Sequence, residues 1–320
     1  MNPLQNICVV GSGYMGGGIA QVLALADCSV ILADVDEVTA NASLGRLIAE
    51  SQEFERLGLF ASGSSQKIRD RIVAAPSIEA GVSGADYISE VVTERIEVKE
   101  MVLGRISQAA TSTAVIATNT SGLRIADLEI FVDNPQRFLG VHWMNPAPFV
   151  PGVEIVPGTQ TNDEVISFAT QLMKRAGKVA IKVADTPGFV ANRLQYALHK
   201  EASRMIEEGL IEPFELDQVV SNSFGFRLAF FGPFAIADMA GLDVYADTYR
   251  SMETAFGDRF SAPKSLLDFV SEENYGVKQG RGLTGLDASM AERVVAYRNL
   301  AYRSLSALKA ELGPIPERNG

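Results

Sequence analysis

The first half of the chain alternates short apolar runs with longer amphipathic segments. Short apolar runs, which indicate buried strands, occupy residues 6–10, 28–34, 85–92, 114–118 and 138–142. Segments with apolar residues at helical spacing occupy residues 17–26, 41–73 with a break at 61–65, and 94–110. Strands that alternate with helices are typical of a parallel sheet covered by helices on both faces. The pattern therefore predicts an N-terminal doubly wound α/β domain over residues 1–186.

The second half of the chain lacks this alternation. A turn signal at residues 185–188 (Asp-Thr-Pro-Gly) separates the two halves. Helical periodicity then recurs, and we expect helices at residues 189–209, 213–224, 234–256, 263–272 and 287–311. The sequence thus predicts an all-helical C-terminal domain over residues 187–320, and two domains suit a chain of 320 residues.

Composition and charge restrict the classes of partner. Hydrophobic residues make up 47% of the chain, and the formal net charge is −11. An acidic surface disfavours binding to nucleic acid or to an anionic membrane, so we expect neither as a partner. The sequence has no apolar stretch of membrane-spanning length and no secretory signal pattern, and its two cysteines lack metal-site spacing. We therefore expect a cytoplasmic protein without a bound metal.

A glycine-rich loop follows the first predicted strand. Residues 11–16 read Gly-Ser-Gly-Tyr-Met-Gly, and an apolar helix and a second strand ending at Asp34 come next. In loops of this kind, the glycines permit a tight turn, close approach to a pyrophosphate, and close packing of helix on strand. Asp34 would bind ribose hydroxyls and repel a 2′-phosphate, and Val35 offers no arginine. We therefore predict a Rossmann-type NAD site with contacts from Gly11, Gly13, Tyr14, Met15, Gly16 and Asp34.

Polar residues follow two later strands of the predicted sheet. Asn119 and Ser121 come directly after one strand, and His142 ends the next. Because ligands bind at the carboxyl ends of parallel strands, we expect these side chains to reach a nicotinamide or a substrate hydroxyl. Glu154 lies a short distance further along, and a carboxylate that holds a neutral imidazole is suited to proton transfer near neutral pH. Helix capping by Asn119 and Ser121, and a structural role for His142, are the alternatives.

Taken in order, these motifs resemble the 3-hydroxyacyl-CoA dehydrogenase family over nearly the whole chain. The resemblance rests on residues 11–16, 119–121 (Asn-Thr-Ser), 142–148 (His-Trp-Met-Asn-Pro-Ala-Pro), 153–156 (Val-Glu-Ile-Val), 185–193, 232–238 and 276–282. It implies an NAD-dependent dehydrogenase in which His142 is the general base and Glu154 orients it. Ser121 and Asn192 would bind the reacting oxygen. The resemblance also implies a homodimer formed through the helical domain, and NAD contacts from Glu94, Lys99, Asn119, Asn145 and Lys278.

One part of the chain is more similar to the branch of this family that contains lambda-crystallin and gulonate dehydrogenase, which acts on small free acids. The similar segments are residues 192–198, 207–211 and 225–233. The last segment carries Arg227, where acyl-CoA members have a shorter segment with glycine and methionine. A guanidinium can bind a carboxylate through two parallel hydrogen bonds, so Arg227 is the candidate for binding a substrate carboxylate. An arginine at the surface or at an interface is the alternative interpretation.

Three functions agree with the sequence to different degrees. The favoured one is an NAD-dependent dehydrogenase that oxidises the 3-hydroxyl of a small hydroxy carboxylic acid to a ketone. The alternative is a short-chain L-3-hydroxyacyl-CoA dehydrogenase with the same catalytic residues. A non-catalytic, structural NAD-binding protein is a remote third, disfavoured by the presence of Ser121, His142, Glu154 and Asn192.

Overall fold

The computed structural model describes residues 5–315, which divide into a first unit that ends at Lys200 and a second unit that begins at Glu201. Among the described residues, no helix combines the length and the apolar character needed to cross a bilayer.

Eight short strands of the first unit form a single mixed sheet. They are β1 (Asn6–Val10), β2 (Ser29–Ala33), β3 (Ile72–Ala74), β4 (Tyr87–Glu90), β5 (Val115–Thr118), β6 (Phe138–Trp143), β7 (Gly152–Pro157) and β8 (Val179–Lys182). The order across the sheet is β3-β2-β1-β4-β5-β6-β7-β8. All neighbouring strands are parallel except β6 and β7, which are antiparallel. The parallel part therefore presents its carboxyl ends at one edge, where the predicted site residues follow the strands.

Helices cover both faces of this sheet. They are α1 (Tyr14–Leu25), α2 (Glu37–Arg56), α3 (Ser64–Arg71), α4 (Ile78–Val82), α5 (Ile96–Ala109), α6 (Ile125–Leu128) and α7 (Asp163–Arg175), with 3₁₀ turns at Glu129–Phe131 and Pro135–Arg137. Residues of α1, α2, α3 and α7 join one apolar core, and residues of α4, α5 and α6 join the other. In β1, Ile7 and Val9 enter the first core and Cys8 and Val10 the second, as alternate side chains of a strand must. The predicted doubly wound α/β domain is confirmed.

A reversal of the chain between β6 and β7 brings the candidate catalytic pair together. Residues 144–151 turn the chain back, and His142 then lies opposite Glu154 in the antiparallel register. Residues directly opposite each other point to the same face of a sheet with their Cβ atoms about 4.5–5.5 Å apart. The pattern of apolar residues predicts β6 but misses β7, because the short run there is interrupted by Glu154 itself. It also misses β3, β8 and α7.

Helices account for the regular structure described in the second unit, apart from two isolated β-bridges. The division between the units falls within α8 (Ala191–Glu207). The later helices are α9 (Pro213–Asn222), α10 (Phe224–Leu228), α11 (Pro233–Ala240), α12 (Leu242–Phe256), α13 (Lys264–Ser271) and α14 (Ala291–Leu312), with 3₁₀ turns at Gly257–Phe260 and Ala288–Met290. The all-helical C-terminal domain is confirmed. The single helix predicted over residues 234–256 is wrong, because Gly241 with φ +106° separates α11 from α12.

Candidate active site

The glycine-rich loop connects β1 to α1, and its shape leaves room for a ligand. Gly11 has φ +101°, a conformation that favours glycine, and a Cβ on Gly16 would lie 1.8 Å from the Gly11 carbonyl oxygen. A Cβ on Gly13 would meet nothing within 4 Å, so the backbone there is open to close approach. α1 begins at Tyr14, followed by Met15, rather than at residue 17. The helix N-terminus thus lies beside an open backbone, an arrangement that fits the pyrophosphate of NAD.

Asp34 follows β2 and faces this loop. Its Oδ2 accepts hydrogen bonds from the Ser12 amide at 2.7 Å and from the Ser12 hydroxyl, and its Oδ1 accepts from the Val35 amide at 2.8 Å. The carboxylate is only partly buried. These contacts hold it next to the glycine loop, which is where the adenosine ribose of a dinucleotide lies in a fold of this type.

His142 and Glu154 form a buried hydrogen-bonded pair. His142 Nδ1 lies 2.8 Å from Glu154 Oε2, and the two residues are 4% and 5% exposed. An ionised carboxylate can only accept, so Nδ1 carries the proton and donates it to Glu154. The ring of Phe189 lies beside the imidazole, with 5.6 Å between the ring centroids. Nε2 is therefore the nitrogen that remains for proton exchange.

The second oxygen of Glu154 is bound by the start of α8. Glu154 Oε1 accepts from the amides of Val190 and Ala191, both at 3.0 Å. Burial alone would raise the pKa of Glu154. The hydrogen bonds from His142, Ala191 and Val190 oppose burial and hold the pKa below its usual value. The carboxylate is consequently ionised near neutral pH and oriented from both sides.

The start of α8 also brings Asn192 close to Ser121. The Asn192 side-chain amide donates to the Ser121 carbonyl oxygen at 2.8 Å. Asp185 also connects the segment before α8 to the segment that follows Ser121. Its carboxylate accepts hydrogen bonds from the amides of Ile125 and Ala126 at the start of α6, at 2.8 and 2.9 Å. Three of the four predicted catalytic residues, Glu154, Ser121 and Asn192, are thus joined through residues 185–192.

Glu94 binds the loop that carries Ser121. Its Oε1 accepts from the Thr120 hydroxyl and from the amides of Ser121 and Gly122, at 2.9 and 3.0 Å for the amides. Burial would raise the pKa of Glu94, but these hydrogen bonds and the Lys99 ammonium outweigh it and lower the pKa. The Glu94 side chain is 40% exposed, so part of it stays accessible to a ligand beside this loop.

Lys99 lies beneath Glu94 and is fully buried. Its ammonium contacts Glu90 at 2.9 Å and Glu94 Oε2 at 3.5 Å, and Glu90 also accepts from the Thr118 hydroxyl at 2.6 Å. A buried ammonium requires such partners because an isolated buried charge is costly. Lys99 therefore holds the carboxylates of Glu90 and Glu94 in place, and its own surface is covered by protein atoms.

Two further residues predicted to contact NAD, Asn119 and Asn145, lie in or next to the loop between β6 and β7. Asn119 Oδ1 accepts from the Trp143 amide at 2.8 Å, which ties the end of β5 to the end of β6. Asn145 is exposed in the loop itself. Lys178 holds this loop, because its buried ammonium donates to the carbonyls of Ala147 at 2.5 Å and Val150 at 2.8 Å. Burial lowers the pKa of Lys178.

Arg227 and Lys278 belong to the second unit. Arg227 lies in α10 and is partly buried. Lys278 is exposed and donates to Asp243 at 2.5 Å. Its segment is anchored by the buried Asp238, whose carboxylate accepts from the amides of Leu283 and Thr284, both at 2.8 Å.

Several residues that organise the site are not among the predicted site residues, although Asp185 lies in a predicted motif. Glu90, Lys178 and Asp185 each bind a buried charge or several backbone groups. Charged residues inside or beside an apolar strand are a usable signal, since a buried charge must be paired or hydrogen bonded. Within the part of the chain that the structure describes, no group of three histidine, cysteine or acidic side chains is arranged to hold a metal ion.

Comparison with family models accounts for both halves of the chain. The model for "3-hydroxyacyl-CoA dehydrogenase, NAD binding domain" matches residues 6–186. The model for "3-hydroxyacyl-CoA dehydrogenase, C-terminal domain" matches residues 188–285.

Individual proteins match over most of their length. A 5-formyl-3-hydroxy-2-methylpyridine 4-carboxylate 5-dehydrogenase from Mesorhizobium japonicum is 31% identical, over 93% of this chain and 98% of that protein. A probable 3-hydroxybutyryl-CoA dehydrogenase from Bacillus subtilis is 31% identical, over 87% of this chain and 96% of that protein. Among solved structures, a 3-hydroxyacyl-CoA dehydrogenase from Archaeoglobus fulgidus superposes with a TM-score of 0.79 at 29% identity, covering 97% of this chain and 99% of that one.

Proposed function

Because the chain belongs to the 3-hydroxyacyl-CoA dehydrogenase family and is an NAD-dependent oxidoreductase of that type, we propose that it oxidises the 3-hydroxyl of a small hydroxy carboxylic acid to a ketone. The observation that carries the proposal is the buried His142–Glu154 pair. Ala191 and Asn192 are neighbours in the sequence, and one binds Glu154 while the other binds the Ser121 backbone. The start of α8 therefore connects the proposed proton acceptor, His142, through Glu154, to the two proposed ligands of the substrate oxygen, Ser121 and Asn192.

His142 is the proposed general base. Its Nδ1–H is committed to Glu154, so Nε2 accepts the proton of the substrate hydroxyl. The negative charge of Glu154 stabilises the imidazolium that results. In the reverse direction, the protonated His142 returns this proton to the ketone oxygen.

Ser121 and Asn192 are the proposed ligands of the reacting oxygen. A serine hydroxyl has one proton to donate, and a side-chain amide has two. One Asn192 proton goes to the Ser121 carbonyl oxygen, so the other is available to the substrate. Donors held in place before the reaction stabilise charge on an oxygen as it becomes a carbonyl.

The proposed NAD site extends from the glycine loop to the Ser121 loop. The first unit would supply Gly11–Gly16 for the phosphates, Asp34 for the adenosine ribose, and Glu94, Asn119 and Asn145 toward the nicotinamide half. Lys99 acts through Glu94, since its ammonium is buried beneath that carboxylate. NAD held by these residues would supply the acceptor for the hydride of the carbinol carbon.

A free carboxylate on the substrate is supported by one relative and one residue. The Mesorhizobium japonicum protein, 31% identical over 93% of this chain, is named for a pyridine carboxylate rather than for a CoA thioester. Arg227 would supply the guanidinium for such a carboxylate. A short-chain 3-hydroxyacyl-CoA substrate is the second candidate, favoured by the name of the Bacillus subtilis relative.

A substrate panel tests the proposed function. NADH formation is followed by absorbance with purified protein, NAD, and matched pairs of free 3-hydroxy acids and their CoA thioesters. We expect the highest kcat/KM with a free acid. Turnover of the thioesters alone would establish the second candidate, and NADH binding without turnover of any secondary alcohol would contradict both.

Replacing Arg227 with alanine should lower kcat/KM for the free acid by about tenfold to a hundredfold, because a charge-assisted hydrogen bond to the carboxylate is lost. The value for the CoA thioester, which lacks that carboxylate, should change little. Arg250→Ala is the control, since Arg250 is exposed and paired with Asp247 within α12. Equal loss with both substrates, or with neither, would remove Arg227 from the substrate site.

We also propose a homodimer formed through the helical domain. Large apolar side chains are exposed on three of its helices, at Leu194, Tyr196, Phe214, Val219, Tyr297 and Leu300. Large apolar side chains that are exposed on a helix are candidates for contacts with a second copy of the chain. Sedimentation equilibrium should give twice the chain mass of 34.4 kDa, and Leu300→Glu should shift the protein toward monomer. The same change at the exposed Ile130 of the first unit should leave the mass unchanged; a monomeric wild type would refute the dimer.

A further inference from the structure

A long loop separates the two strands that carry the candidate catalytic pair. The ladder between β6 and β7 ends at Trp143 and Val153, and the pair His142–Glu154 comes directly before this end. The loop that reverses the chain, residues 144–151, contains no charged side chain. A tight turn fixes the register of two antiparallel strands by itself, whereas a loop of this length needs contacts from elsewhere in the chain. The geometry of the catalytic pair therefore depends on what holds this loop.

Lys178, directly before β8, binds the loop through its side chain. Its buried ammonium donates to the carbonyl oxygens of Ala147 at 2.5 Å and Val150 at 2.8 Å, and the Pro148 carbonyl oxygen lies at 3.4 Å. The ammonium also lies over the ring of Trp143, 5.6 Å from the ring centroid. One cation thus contacts three backbone oxygens of the loop and the side chain at the end of the ladder.

Among the described residues, no carboxylate offsets the burial of this charge, and burial lowers the pKa of Lys178. The loop and α1 carry no charged side chain. The other charged side chains that line the groove beside Lys178 are two cations, Lys67, which pairs with Asp27, and Arg175. The catalytic pair alternates with Trp143 along the strands and so lies on the other face of the sheet. The carbonyl oxygens of the loop are therefore the acceptors that hold the ammonium.

We propose that the protonated Lys178 is a positioning residue, which holds the loop closed and keeps Glu154 opposite His142, and that loss of this proton at alkaline pH disables the site. The proposal rests on the proposed function, in which His142 is the general base. An ammonium has three protons for the three carbonyl oxygens, whereas the neutral amine has only two and no charge. A misplacement of about 1 Å near a reacting group can lower the rate by about a hundredfold. Opening of the loop would therefore act on kcat.

The competing explanation is that Lys178 only stabilises the fold. A residue of that kind would change the unfolding temperature, but not the kcat of the folded protein or the pH dependence of kcat. A positioning residue changes kcat, the change follows its protonation, and a side chain that keeps the charge restores the rate.

Trp143, the single tryptophan of the chain, reports on this contact without a substrate. The test follows Trp143 fluorescence, and kcat with the best alcohol of the substrate panel, from neutral pH through the ordinary lysine pKa of about 10.4. The proteins are the wild type, K178M, K178R and the matched control K182M, in which an exposed lysine of β8 is replaced.

In the wild type, fluorescence and kcat should change in one common step whose midpoint lies below the ordinary lysine value, because burial lowers the pKa of Lys178. K178M should have a kcat about tenfold to a hundredfold lower at neutral pH and should lack the step. K178R stays charged throughout, so it should recover most of the kcat and also lack the step. K182M should behave as the wild type.

Wild-type kcat in K178M at neutral pH would overturn the proposal. A step that persists unchanged in K178M would also overturn it, because another group would then be titrating. If thermal unfolding shows that neither Lys178 variant folds, the wild type decides: a common midpoint supports the proposal, and different midpoints or the absence of a step contradict it. A wild type that shows the fluorescence step but oxidises no secondary alcohol would instead contradict the proposed function, since the fluorescence needs no substrate.

Discussion

Replacing His142 with glutamine should lower kcat by about 10²–10⁴-fold, the usual contribution of a general base. The affinity for NADH should be unchanged, since the effect falls on the proton of the substrate hydroxyl. The reason is geometric: Glu154 accepts a hydrogen bond from His142 Nδ1, with 2.8 Å between the nitrogen and the oxygen, and no glutamine can both donate to that carboxylate and present a basic nitrogen to the substrate. Steady-state kinetics in the oxidation direction, combined with NADH titration, measure the two quantities separately.

The other histidine provides the control for this experiment. His199 is exposed on α8, so His199→Gln changes the same kind of side chain outside the buried pair. It should keep the wild-type kcat. Near-wild-type turnover by the His142 variant would contradict the assignment of His142 as the general base.

Replacing Glu154 with glutamine should also lower kcat by about 10²–10⁴-fold, for a different reason. The amide keeps much of the shape of the carboxyl group but has no negative charge to stabilise the imidazolium. It can also present its NH₂ group to Nδ1, which favours the wrong tautomer of His142. Glu164→Gln on the exposed start of α7 is the matched control, and its kcat should equal that of the wild type.

The Glu154 variant should have a pH-dependent loss of stability as well. The pKa of Glu154 lies below its usual value in the folded protein, so ionisation of this carboxyl stabilises the fold. That contribution is complete above the ordinary glutamate pKa of about 4.3 and is lost as the pH falls through the lowered value. Urea unfolding should therefore show the largest difference in free energy of unfolding between wild type and variant at neutral pH, shrinking at acid pH. A difference that grows on acidification would contradict the ionised state of Glu154.

The sequence predicts which residues of the first unit form the candidate site better than it predicts which residues contact each other there. The glycine loop and Asp34 form a local pattern, since they lie on β1, α1 and β2 in immediate succession. The spacing of His142 and Glu154 suggests a pair, but the antiparallel β7 that puts them opposite each other is missed. Local periodicity carries no information on which strand pairs with which.

Lys99 is a second example of a contact that local sequence patterns do not predict. Family resemblance assigns it to the cofactor, whereas its ammonium is buried against Glu90 and reaches the site only through Glu94. An amphipathic pattern predicts α5 but not that a lysine on it points into the sheet edge. Burial of a long charged side chain depends on the acids that face it from another strand, and those contacts arise only on folding.

The sequence by itself determined the alternation of strands and helices, the dinucleotide loop, the helical second half and the family, because each is written in neighbouring residues or in the order of motifs. The tertiary structure decided the hydrogen bonds of Glu154 to His142 and to the start of α8, the support of the Ser121 loop by Glu94, and the contact of Lys178 with the loop between β6 and β7. These contacts join residues far apart in the chain. They depend on strand register and helix packing, which are set by the free energy of the whole fold rather than by any local pattern.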